Sequence, residues 1–168
     1  MIPFASALLA AAAVPFPTLV TPQGQTLALD PSAHPATAIV FVSAVCPVAN
    51  DYAIRLAELQ KALAAKGVPL LLVYANRTES AGEVAANARG HEFSFPVYLD
   101  PGQQLANRLN ATVTPSAFVV DRRGEVRYSG KIDDAVQPAR VKRRFLREAV
   151  DAVLAGRPPE PARVEPYG

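Results

Sequence analysis

A chain of 168 residues, half of them hydrophobic and 19% charged, is long enough for one domain with a sizeable core and too apolar for disorder. Its formal net charge of +2 is too small to point to a nucleic-acid partner, and no apolar run reaches the ~18 residues of a membrane-spanning helix. A single cysteine excludes an internal disulfide and leaves the redox compartment unmarked.

Residues 1–13, MIPFASALLAAAA, are small and apolar, like the h-region and cleavage site of a secretory signal. The basic n-region is missing, since no Lys or Arg precedes Arg55. Export to the periplasm or another extracytoplasmic space is the expectation. The alternative is an apolar N-terminal arm, or a mis-assigned start, on a cytoplasmic protein. The domain proper is expected over 14–157, followed by a Pro-rich tail over 158–168.

From Phe16, two short strands are predicted across the Pro22-Gln23-Gly24 turn. The run from Thr37 to Val45 is β-branched and almost continuously apolar, as a strand buried on both faces should be. A helix is predicted from Pro47 to Gly67, with Tyr52, Leu56, Leu59 and Leu63 at helical spacing. Val68 to Asn76 reads as a second buried strand, and ESAGEVAANARGH as a shorter helix. Phe95 to Asp100 is strand-like, and GQQLANRLN makes about two helical turns. SAFVVD and EVRYSG, separated by Arg122-Arg123-Gly124, read as an antiparallel hairpin. A last helix is predicted from Pro138 to Ala155. The order implies an α/β fold in one domain, a mixed sheet flanked by helices with an N-terminal β-hairpin.

Two stretches carry chemistry. In VSAVCPVAND, Cys46 sits where a buried strand gives way to a helix, and helix N-termini are among the settings that make a cysteine reactive. The competing reading is that Cys46 is a small buried hydrophobe. In TVTPSAFVVD, Pro115 enters a strand, where it removes a ladder donor. Either a cis Thr114–Pro115 peptide or an ordinary trans proline on an edge strand accounts for it.

Cys46, Pro47, Asn50 and Tyr52, followed by Thr114, Pro115, Phe118, Asp121, Gly124, Tyr128, Gly130, Ile132, Asp133 and Asp134, reproduce a paired pattern, CP-x-x-N-x-Y and TP-x-x-F…G-x-IDD. With it the chain resembles the redoxins of the thioredoxin fold, related to the alkyl hydroperoxide reductase/thiol-specific antioxidant family. The resemblance spans about Phe16 to Pro161. It implies a thioredoxin-like fold, a cis Pro115 beside Cys46, and Cys46 as the nucleophilic thiol. It also implies that the backbone of Thr114, with Pro115 and Pro47, meets an extended substrate segment.

The pattern has departures. The second cysteine of a Cys-x-x-Cys pair is Ala49, so a captured substrate can be released only by an external thiol reductant. The usual tryptophan before the motif is Val45. Ser43 matches the hydroxyl that peroxiredoxins place near the peroxide, but their proline four residues earlier is Ile39. No position can be assigned to the arginine they aim at the thiolate; Arg108 and Arg127 are the candidates. Some redoxins of this group end in Gly-Cys, whereas this chain stops at Gly168.

No bound cofactor is implied, and His34 and His91 are too far apart to suggest a metal cluster. Asp133-Asp134 reads as a hydrogen-bonding turn or an N-cap before the last helix. Arg140, Arg144 and Arg147 are expected on one solvated helical face. The expected function is one-cysteine peroxide reduction, or monothiol exchange with a protein disulfide partner. The alternative is a redox-silent thioredoxin-like module that binds an extended peptide along Thr114-Pro115.

Overall fold

The computed structural model describes residues 15–167, so the candidate export signal lies outside the described residues. Seven strands form one mixed sheet in the order β2-β1-β5-β4-β3-β6-β7. β1 (Thr18–Val20) and β2 (Thr26–Ala28) make the expected N-terminal hairpin, with Gly24 at φ +87° in its turn. β3 (Ala36–Val42) pairs in parallel with β4 (Leu70–Tyr74), and β4 with β5 (Val97–Leu99). β6 (Ser116–Asp121) runs antiparallel to β3 and turns back as β7 (Val126–Gly130).

All seven residues of β3 are buried, and their alternation divides the interior in two. Ala36, Ala38, Val40 and Val42 join Leu56 and Leu63 of α2 (Ala53–Ala64), Val84 of α3 (Ala81–Gly90) and Leu146 and Val150 of α5 (Phe145–Leu154). Ile39 and Phe41 face the other way, onto Leu105 and Leu109 of α4 (Gln104–Leu109). There Phe41 meets Phe118 edge to face, with ring centroids 5.7 Å apart.

Three of the departures from the expected element boundaries have a hydrogen-bonding reason. β3 ends at Val42 and not at Val45, because the amides of Ala44 and Val45 turn to the Glu79 carboxylate. The helix from Pro47 is two helices, α1 (Pro47–Asp51) and α2, joined at Tyr52, whose buried phenol donates to Asp133 at 2.6 Å. The last helix begins at Phe145, not Pro138. Only Pro138–Arg140 forms a 3₁₀ turn, and the amides a helix would use internally go elsewhere. Lys142 N donates to Asp134 Oδ1 at 2.9 Å, and Leu146 N to the Ile132 carbonyl at 3.0 Å. Arg140 and Arg144 therefore lie outside α5, and the expected single arginine face does not form.

The C-terminal segment lies along β7: Ser129 N donates to the Ala162 carbonyl and Val164 N to the Ser129 carbonyl, at 3.1 and 3.0 Å. Gly130 makes this approach possible. A Cβ there would stand 2.0 Å from the Val164 carbonyl oxygen, on a backbone with φ +147°.

The packing sets an alkaline limit on stability. All five tyrosine phenols are pushed upward, chiefly by burial: Tyr74 to about 12, with Tyr52, Tyr98, Tyr128 and Tyr167 also raised. Above the ordinary tyrosine value of about 10, the unfolded chain loses phenolic protons that the native chain keeps. This stabilising contribution is complete below about pH 10 and is lost as pH rises through the folded values. In a spectrophotometric titration the phenols of the native protein should ionise at higher pH than those of the unfolded chain, Tyr52, Tyr74 and Tyr128 last, and denaturant midpoints should fall as pH is raised further. A full phenolate step at the ordinary pH with the fold intact would contradict the packing.

Candidate active site

Cys46 is the N-cap of α1, at the end of a three-residue loop that leaves the centre of the sheet. Its thiol donates to the Thr114 carbonyl at 3.3 Å, and its Sγ accepts the Ala49 N–H at 3.5 Å. Thr114–Pro115 is cis, and β3 and β6 are direct neighbours, so residues 68 apart in sequence meet where β3 ends and β6 begins. The local electrostatic support differs from the expectation of one long helix, since the sulfur caps a five-residue helix through a single amide. Cys46 is partly exposed; beside it Val45 is 73% exposed and Pro47 is exposed, so the thiol has an apolar rim.

Ser43 is buried, and its Oγ donates to Glu79 at 2.5 Å. Its single proton is thereby committed to the carboxylate, while the hydroxyl oxygen keeps its capacity to accept a hydrogen bond. Glu79, 9% exposed, also accepts from Ala44 N at 2.7 Å and Val45 N at 3.4 Å. One carboxylate oxygen thus holds three donors of the Cys46 loop. Its other oxygen, Oε2, is buried with no partner among the described residues. Asn50 fixes the loop from the opposite side. Its amide donates to the Ala44 carbonyl at 2.9 Å, while its oxygen meets Asn87 and His91 of the α3 region at 3.2 and 3.0 Å.

Sequence reasoning missed Glu79. It sits in a polar stretch, NRTES, and the only local signal is the Ser80–Glu83 capping box just after it. The role of Asp133 was missed as well. It is buried and accepts from Tyr52 and from Arg55 Nη1, both at 2.6 Å. Arg55 also donates to the carbonyls of Ala135 and Val136. Only Asp134 makes the predicted turn, and Arg144 occupies the N-cap position of α5.

The two arginine candidates for the thiolate lie at the other end of the sheet. Arg127 pairs with Asp121 and Glu125, and Asp121 lies opposite Ala36 at the start of β3. Arg108 donates to the Pro15 carbonyl and stacks on Phe16, which lies against the β6–β7 turn at Gly124.

A central parallel β-α-β unit, an antiparallel hairpin entered through a cis-proline, and a cysteine opening the helix opposite it define the class: a thioredoxin-like α/β protein. Within that class the chain belongs to the AhpC/TSA family, whose model matches residues 10–129. A hypothetical protein from Sinorhizobium meliloti superposes with TM-score 0.79 at 29% identity, over 93% of this chain and 89% of its own. An uncharacterized conserved protein from Geobacillus kaustophilus gives 0.75 at 28%, over 88% and 82%. A secreted Mycobacterium tuberculosis disulfide oxidoreductase homologous to E. coli DsbE gives 0.59 at 14%, over 83% and 94%, a likeness of fold alone. No curated protein matches the chain.

Proposed function

We propose that the protein is a one-cysteine thiol oxidoreductase in which Cys46 is the nucleophile and an external thiol closes the cycle. The observation that carries this reading is the partly exposed Sγ held between the Ala49 N–H and the Thr114 carbonyl. In the peroxide reaction the Cys46 thiolate attacks one peroxide oxygen. An S–O bond forms, the O–O bond breaks, and the departing oxygen takes a proton as water or alcohol. One external thiol condenses with the sulfenic acid, releasing water and leaving a mixed disulfide. A second thiol displaces it, so the external pair leaves as a disulfide and Cys46 as a thiol. With one cysteine in the chain, no internal group can perform that displacement.

In this reading Pro47, Thr114 and Pro115 shape the surface against which an extended partner segment lies. Ser43 and Glu79 are positioning residues that fix the loop carrying the sulfur. Action outside the cytoplasm fits both the apolar N-terminal sequence and the secreted protein of like fold.

One equivalent of hydrogen peroxide added to the reduced protein should yield a dimedone-trapped adduct on Cys46, absent in Cys46→Ser. A second reading, a redox-silent module binding extended peptides, is favoured by Ala49 at the second motif position and by the use of the sulfur as a helix cap. Unmodified Cys46 after peroxide, together with saturable peptide binding, would select that reading.

A further inference from the structure

The break before α5 has a structural consequence beside α2. Because the chain turns at Pro138–Arg140 and runs on without helix to Phe145, it stands off from α2 and leaves a cavity of about 210 Å³. Its walls are apolar at Leu59, Ala62, Ile132 and Val141, and basic at Arg144 and Arg147.

The charges in the lining are not equivalent. Arg55 and Asp133 also border the cavity, but they neutralise each other in the ion pair described above. Arg144 and Arg147 are exposed, and among the described residues their guanidinium groups make no ion pair and no hydrogen bond. Elsewhere on the surface Arg127 and Arg143 do find carboxylates. Arg144 is the N-cap of α5, a ten-residue helix, and Arg147 is its third residue; the Arg144 amide at this helix end donates to Glu148, which leaves its guanidinium free. Glu58 on the α2 wall is the one remaining carboxylate, and it opposes ligands carrying more than one negative charge.

We propose that this cavity is a binding site for a small organic monocarboxylate, its carboxylate held by Arg144 and Arg147 and its apolar body on Leu59, Ala62 and Val141. Guanidinium groups match a carboxylate in geometry, and the cavity is smaller than the ~300–1,000 Å³ typical of drug-sized ligands, which limits the occupant to a short chain or single ring. The proposal does not depend on any redox role of Cys46.

The test is a titration of the full-length protein followed by amide NMR shifts, with hexanoate as probe and hexanamide, acetate and inorganic phosphate as comparators. Hexanoate should saturate, with shifts confined to residues 55–62 and 132–147. The double variant Arg144→Gln/Arg147→Gln should bind it at least about tenfold more weakly, as expected for lost charge-assisted hydrogen bonds. Arg140→Gln, altered outside the cavity, should bind as the unmodified protein does. Equal binding of hexanamide would remove the arginines from the proposal without recourse to any variant. Acetate or phosphate binding as tightly as hexanoate would show a diffuse basic surface, and an unchanged double variant or shifts elsewhere would equally overturn it.

Discussion

Asp133→Ala is expected to destabilise the protein by about 3–5 kcal/mol, the cost of leaving one member of a buried ion pair without its partner. Asp133 is 3% exposed and Arg55 is largely covered, so the guanidinium left behind cannot recover its hydration by a small movement. The loss reaches further than the pair. The Tyr52 phenol also donates to Asp133, and Tyr52 is the hinge between α1, which the Cys46 sulfur caps, and α2. Arg55 packs over the Tyr52 ring at 3.8 Å, and through Asp133 both are tied to the β7–α5 turn. Denaturant unfolding of Asp133→Ala and Asp133→Asn measures the effect. Asn keeps an acceptor for Tyr52 and should lie between the alanine variant and the parent. A loss under about 1 kcal/mol in Asp133→Ala, the range of an exposed ion pair, would contradict this account.

The second large effect is local. Glu79→Ala removes the acceptor shared by Ser43 Oγ, Ala44 N and Val45 N, and hydrogen bonds to a charged group are worth about 1.5–3 kcal/mol each. Relief of the buried carboxylate offsets part of this, for a net loss of about 1–3 kcal/mol. The sharper readout is hydrogen exchange. The amides of Ala44 and Val45 should lose protection by an order of magnitude or more while those of α2 keep theirs. Glu79→Gln, which retains the accepting oxygen, should keep most of that protection. Unchanged exchange at Ala44 in the alanine variant would show that Glu79 does not hold the loop.

These two residues mark where the sequence ceased to be legible. The buried strands and the hairpin at Arg122-Arg123-Gly124 could be read because each leaves a periodic or turn signal, whereas the meeting of Cys46 with Thr114-Pro115 came only as what the family resemblance implies. Asn50, Tyr52 and Asp133 were visible as pattern positions, but a pattern does not say what a side chain touches. Glu79 carries no signal, since an acid in a polar turn looks the same whether it points to water or under a loop 35 residues away. The helix boundaries failed for a related reason. Val141 to Arg144 fall in a run expected to be helical, but the 132–134 turn takes the amide of Lys142 and, just beyond, that of Leu146, and such competition is invisible to a local reading. Ser43 was recognised as a polar residue near the thiol, and its actual partner depended on Glu79.

If Cys46 is the nucleophile proposed above, the fold makes it more reactive than a cysteine in an unstructured chain. The direct measurement is the second-order rate of alkylation of Cys46 by iodoacetamide at pH 7, in the native protein and in the same chain unfolded in urea. Cys46 should react faster in the native state. A native rate equal to or below the unfolded one would contradict it and leave the sulfur a helix cap.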